Sequence, residues 1–262
     1  MAETVKRTIA RRSRPLPLLD RPADLAARVA ARLRVAIVGG DLAAGERLVP
    51  ERIAEELGVS RPPMMAAMHR LAGEGLVTIG ANGRPYVAGL TPKYVADLYR
   101  FRLLLDEAVV VAVLGRVPSE AEASLRRIIA EMATRAEEGA LDAFAALDLA
   151  FHTAFLGLAD NQFLLGAWEA MSDVAHALLT VTDRLYALLP QLAGLHQAIL
   201  DGLCAGDEAM TRTALRQHYE TGERKLAIAP PGAVSQSVAA DAVPVPLVQR
   251  KKARGGRARE SE

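Results

Sequence analysis

Glu51-Arg-Ile-Ala-Glu-Glu-Leu-Gly-Val-Ser-Arg61 decides the fold of the first third of the chain. Ile53, Ala54 and Leu57 share one face of a short helix that stops at Gly58, which can take the left-handed conformation that closes a helix. Ser60 stands as the N-cap of the next helix, its oxygen placed to accept from first-turn N–H groups. Pro62 and Pro63 fall in that turn, where a missing N–H costs little. The second helix turns Met64, Ala67, Met68 and Leu71 toward a small core and leaves its N-terminal residues outward. Leu76 to Ile79 and Pro85 to Ala88 are alternating apolar runs around Gly80-Ala-Asn-Gly83, and Asn-Gly is a strong hairpin signal. Helix, tight turn, helix and hairpin in this order read as a winged helix-turn-helix, whose second helix enters the major groove of DNA. A small helical packing unit without a nucleic-acid role is the rival reading, and the joint occurrence of turn, cap and wing disfavours it.

Upstream, Leu25, Val29, Leu33 and Ile37 recur every four residues from Pro22 to Val38, a helix ended by Gly39-Gly40. Residues 1–20, with Lys6, Arg7, Arg11, Arg12 and Arg14, are expected to be a flexible basic segment, and residues 21–90 to be the DNA-binding domain. Downstream of Leu90-Thr-Pro92 the pattern changes to long apolar helices at about 93–115, 119–138, 142–158, 162–184, 190–204 and 207–227. The fold class is therefore mainly α: a winged helix-turn-helix of three helices plus a β-hairpin wing, followed over residues 93–228 by an all-α bundle of six or seven helices. Residues 229–262 change to Pro, Ala, Val and Ser with a basic end, and are expected to be a disordered tail.

The 262 residues are 51% hydrophobic but only 4% aromatic, enough for two cores built of packed helices. Charge is divided along the chain. Residues 1–92 hold 14 Lys and Arg against 9 Asp and Glu, whereas residues 93–229 hold 12 against 19, which suits a nucleic-acid module joined to a domain with another task. Cys204 is the single cysteine, excluding an intrachain disulfide. No apolar run reaches the roughly 20 residues that span a bilayer, so a cytoplasmic protein without membrane partners is expected.

Asp148 and His152 lie four residues apart, one turn apart on one helix face, where they can share a metal ion or simply hydrogen-bond to each other. His196, beside Leu195, Ile199 and Leu200, and His218, between Leu215 and Leu226, can point inward from two later helices. Three neutral imidazoles and one carboxylate suit a divalent transition metal, zinc foremost, with nickel, manganese or iron as alternatives, and leave room for water or an anion. His69 and His176 have no such company.

Residues 22–90 resemble the GntR-type winged helix-turn-helix, with Gly40-Asp-Leu-Ala-Ala-Gly45 and Leu48 preceding the Glu51 to Arg61 motif. Residues 93–227 resemble the FCD ligand-binding domain of the FadR-like subfamily. That resemblance implies that Asp148, His152, His196 and His218 hold a metal, that Arg102 grips an effector carboxylate, and that Asn161 lines the pocket or caps a helix. Asp106 stands where the family has Glu, a change bearing on the orientation of neighbouring side chains. The resemblance also assigns Arg52 and Arg61 to DNA contact, with Ser60, Met65, His69 and Arg70 on the recognition helix and Arg84 in the wing as further candidates. Here the chain departs from the family. Met65 and Ala66 replace an arginine and a glutamate, and a methionine cannot make the bidentate guanine contact that contributes about 1–3 kcal/mol of discrimination. The implied function is a homodimeric transcriptional regulator, a repressor rather than an enzyme, bound to a pseudo-palindromic double-stranded operator and released by a small carboxylate. The rival classes are a metal-dependent, hydrolase-like enzyme and a regulator whose metal is structural or is itself the signal.

Overall fold

The computed structural model describes residues 23–180 and 188–226; the expected basic N-terminal segment, the expected C-terminal tail and residues 181–184 of one expected helix lie outside them. The head comprises α1 (Ala23–Gly39), α2 (Pro50–Leu57), α3 (Arg61–Gly73), β1 (Val77–Ile79) and β2 (Pro85–Val87). Gly58 closes α2 at φ 65°, its N–H bonded to the carbonyls of Ala54 and Glu55. Val29, Leu33 and Ile37 from α1 meet Met64, Ala67, Met68 and Leu71 from α3, all buried. Each large side chain so removed from water contributes about 1.5–3 kcal/mol. The wing is an antiparallel pair in register Val77↔Val87, Thr78↔Tyr86 and Ile79↔Pro85. An isolated bridge from Arg47 to Tyr86 anchors it to the segment before α2.

Ser60 occupies the N-cap of α3 with extended backbone, but its side chain accepts no capping hydrogen bond. The reason lies in the neighbouring residues. A capping oxygen accepts from the second or third helical N–H, and those positions are Pro62 and Pro63, which have none. The prolines preset the first turn, and the Ser60 hydroxyl stays exposed and unspent.

The remaining helices are α4 (Pro92–Val113), α5 (Ser119–Glu137), α6 (Leu141–Gly157), α7 (Gln162–Thr180), α8 (Leu189–Ala205) and α9 (Glu208–Leu226), within a few residues of the expected bounds. Thr91 caps α4, its Oγ1 accepting from the Tyr94 N–H at 3.0 Å. The order of packing folds the bundle back on itself: α8 lies against both α9 and α5, α4 against α9, α5 against α6, and α6 against α7. Gly202 permits the tight α8–α9 crossing, since a Cβ there would stand 2.6 Å from Thr211 Oγ1 and 2.9 Å from its backbone nitrogen. Three helices α6, α8 and α9 thereby turn one face each toward a common centre.

Head and bundle also touch, through α1 against α7. Arg34 on α1 binds Glu74, just after α3, through Nε–Oε2 at 2.8 Å and Nη2–Oε1 at 2.6 Å. Asp173 on α7 accepts from Arg70 of α3 at 2.7 Å and stands 3.1 Å from Arg34. Tyr94 on α4 donates to the Glu74 carbonyl at 2.7 Å.

Candidate metal and effector site

The apolar spacing of α6 buries Phe144, Phe151 and Phe155, and carries Asp148 and His152 inward with them. His196 comes in from α8 among Leu192, Ile199 and Leu200, and His218 from α9 between Leu215 and Tyr219. All four side chains are buried, and one ligand atom from each lies within 4.8 Å of the others. His196 Nε2 is 3.2 Å from Asp148 Oδ1, His152 Nε2 is 3.8 Å from the same oxygen, and His152 Nε2 is 3.2 Å from His218 Nε2. Donors that share an ion at about 2.0–2.1 Å stand roughly 3.0–3.4 Å apart, so the two 3.2 Å separations fit a common cation and the 3.8 Å one would close by a few tenths of an ångström around it.

The outer atoms fix the tautomers. His152 Nδ1 lies 3.1 Å from Asp106 Oδ2, an acceptor only, so that nitrogen donates and Nε2 turns its lone pair inward. His196 Nδ1 likewise donates to the Leu192 carbonyl at 2.8 Å, leaving Nε2 facing the cluster with no hydrogen-bond partner. An imidazole lone pair buried without a donor is costly unless a cation or proton meets it. Burial, then His196 and His152, push His218 well below 6.5, so it is neutral at physiological pH. Burial alone would raise the Asp148 carboxyl, yet the neighbouring His152 and His196 rings and the Arg102 guanidinium together hold it well below the usual carboxylate range. A neutral His218 and an ionised Asp148 are the protonation states a divalent metal requires of these two residues.

Arg102 on α4 is buried at 2% exposure, with Nη2 3.5 Å from Asp148 Oδ2. Its guanidinium lies 5.2–5.5 Å from the ring centres of Tyr219, Trp168 and Tyr99, and its Nε has no partner. A buried cation wrapped in aromatic faces, with a free N–H, can grip a second anion besides Asp148.

Two contributors, Tyr219 and Trp168, were not singled out from the sequence. Tyr219 donates its hydroxyl to the same Asp106 oxygen that receives His152, so Asp106 orients one metal-type ligand and one wall of the arginine cage at once. Burial and then Asp106 raise the Tyr219 hydroxyl well above 10, which keeps it a donor. Trp168 donates to Thr153 Oγ1 at 2.8 Å and faces both Arg102 and His152. The chain's single tryptophan was the signal available for it. Asn161 does not join the cluster: it is exposed, and its Oδ1 caps α7 by accepting from Phe163 and Leu164. The residue after a left-handed Asp160, at φ 46°, is held by helix-starting geometry, and its side chain is thereby consumed.

Comparison with known proteins agrees with this division of the chain. The profile "Bacterial regulatory proteins, gntR family" matches residues 25–87, and the FCD domain profile matches residues 97–221, meeting where wing gives way to bundle. The chain belongs to the GntR family and carries an FCD domain. This GntR regulator is 26% identical over 209 residues to the gluconate operon transcriptional repressor of Bacillus subtilis (strain 168), covering 78% of this chain and 86% of the relative. It is 27% identical over 222 residues to the putative L-lactate dehydrogenase operon regulatory protein of Escherichia coli (strain K12), covering 75% and 84%. Among solved structures, a putative GntR regulator from Rhodococcus sp. RHA1 superposes with TM-score 0.59 at 23% identity over 79% of this chain and all of that one. E. coli McbR/YncC superposes at 0.56 and 20% identity, over 75% and 94%. Such likenesses establish the shared fold.

As a GntR-family protein it is a DNA-binding transcriptional regulator. No described helix is long and apolar enough to cross a membrane. On its head, Arg52 and Arg61 are exposed, each with a loose ion pair, to Glu56 at 3.2 Å and Glu51 at 3.6 Å. Ser60 is exposed and Met65 half-buried at the N-terminal end of α3, His69 is exposed in its C-terminal half, and Arg84 is exposed in the wing. Arg70 differs from these, because its guanidinium is engaged with Asp173 and Glu74. His176 is half-buried on α7, with Nδ1 unpartnered.

Proposed function

We propose that this regulator is a homodimeric repressor released from a pseudo-palindromic operator by a small carboxylate that binds at the Arg102 and Asp148 site, with a divalent metal, zinc first, held by Asp148, His152, His196 and His218. The observation that carries the reading is the buried pairing of an aromatic-caged guanidinium with three inward-facing imidazoles around one carboxylate. A bound divalent cation supplies a Lewis-acidic partner for an anionic oxygen. Arg102 supplies the complementary grip, through its unpartnered Nε and the Nη2 that now meets Asp148 at 3.5 Å. Asp106 and Tyr219 keep both halves in orientation. Relatives named for gluconate and L-lactate operons direct attention to 2-hydroxy acids, whose vicinal oxygens suit a cation and an arginine together. The DNA edge comprises Arg52, Ser60, Arg61, Met65, His69 and Arg84. With Met65 and Ala66 on the recognition helix, affinity rests more on phosphate contacts than on guanine readout.

The test is thermal unfolding of EDTA-stripped and zinc-loaded protein against a panel of 2-hydroxy and dicarboxylic acids, in wild type, His196→Ala and Arg102→Ala. Zinc at about 100 times its Kd stabilises by about 2.7 kcal/mol, and an acid adds its own increment only where it prefers the folded state. The expected result is a zinc shift abolished by His196→Ala and an acid shift abolished by Arg102→Ala. An acid shift that survives Arg102→Ala overturns the carboxylate grip. A zinc shift without any acid effect overturns the effector reading and makes the metal structural or the signal itself.

A further inference from the structure

The four-residue ionic junction between head and bundle is not accounted for by DNA contact or by the metal cluster. Arg34 and Glu74 are each 4% exposed and doubly bonded, so the pair is desolvated and geometrically fixed. Glu74 directly follows α3, and Arg70, on the last turn of α3, reaches both Glu74 and Asp173. The bundle's share of the junction is Asp173, which takes both arginines on one oxygen at 2.7 and 3.1 Å. The charges balance, with two guanidiniums and two carboxylates, while the DNA-facing edge of α3 stays exposed.

We propose that Asp173 is a positioning residue for DNA recognition: from the bundle it holds α3, through Arg70 and Arg34, in a fixed DNA-competent orientation. A dimeric reader must present two recognition helices at a set separation, and a head free to pivot loses affinity by sampling other arrangements. A second part rests on the proposed effector site. Trp168 lies five residues before Asp173 on α7, about 7.5 Å along the axis, and packs on Arg102 and His152. A ligand that rearranges the arginine cage therefore acts on the same rigid helix that carries the junction, and can shift the head to the extent that it prefers one arrangement.

The experiment uses the full chain and three proteins: wild type, Asp173→Asn and Asp173→Glu. Hydrogen exchange of residues 64–73 is read in the free protein, and affinity is measured for a duplex that the wild type has selected from a randomised pool. Asp173 is partly exposed, so its replacement leaves the buried cores intact. Asp173→Asn is expected to speed exchange in α3 about fivefold, leave α5 and α8 unchanged, and weaken duplex binding about tenfold, with Asp173→Glu recovering most of both. Unchanged α3 exchange and affinity in Asp173→Asn overturn the proposal. So does faster exchange spread equally over α5 and α8, which is general destabilisation. Zinc added to the same samples tests the coupling separately: a zinc-dependent change in wild-type α3 exchange, lost in Asp173→Asn, supports it, and a zinc response identical in the two overturns that part alone.

Discussion

Replacing Asp148 by Asn keeps the shape of the side chain and removes one charge from beside Arg102. In the absence of bound cation, the guanidinium at 2% exposure then loses its nearest anion, 3.5 Å away. Two opposite charges about 4 Å apart interact by about 4 kcal/mol at an effective dielectric constant near 20. Breaking one partner of a buried pair costs about 3–5 kcal/mol by the same logic. Asp106 compensates poorly, because its Oδ2 is already held by His152 and Tyr219, and the ring faces around Arg102 are present before and after the change. The expected loss in EDTA is therefore about 3–5 kcal/mol, or roughly 6–20 °C in Tm for a protein of this size. The assay is urea unfolding followed by circular dichroism, with Arg102→Met and the double variant completing a cycle. Removing the stranded cation should recover at least half of the loss. A cost below about 1 kcal/mol, or a double variant as unstable as Asp148→Asn, would refute the coupling of these two residues.

Stability should fall on acidification in two stages. The His218 pKa is depressed below 6.5 in the folded protein, so below that pH the unfolded chain binds the proton first and stability declines; the depressed Asp148 adds a second decline below about 3.8, read by unfolding at fixed temperature across pH. Arg52→Ala and Arg61→Ala should each weaken duplex binding and lower the salt slope of log K by about 0.9, whereas Arg70→Ala, its guanidinium on Asp173, should leave that slope unchanged in a fluorescence titration over salt. Gly222→Ala should destabilise by about 1–3 kcal/mol in the same urea assay, because the new Cβ would stand 2.5 Å from Tyr99 Cε1, on a ring that packs against Arg102; a neutral result would mean that ring is free to move.

Local periodicity and turn chemistry carried the elements. The four-residue repeat from Leu25 to Ile37, the left-handed Gly58 and the run around Asn82-Gly83 each constrain their own neighbourhood, and the structure follows them. The four ligand-type residues were legible for a related reason: Asp148 and His152 share a helix face, and a buried imidazole among leucines requires a partner. Ser60 shows where local reasoning erred within its own range, since the prolines meant to start the helix removed the donors the cap needed. Asn161 shows the same competition, its side chain consumed by the helix it begins.

The sequence by itself determined a winged head and a six-helix body, because those follow from contacts within a turn or two of the chain, and it marked four candidate ligand residues on three of the helices. Only the tertiary structure decided which distant residues complete them. Asp106 meets His152 across 46 positions, Tyr219 meets Asp106 across 113, and Arg70 meets Asp173 across 103. No periodicity reports such pairs. They are set by the angles at which helices pack, and those angles depend on how the whole set of apolar faces is satisfied at once.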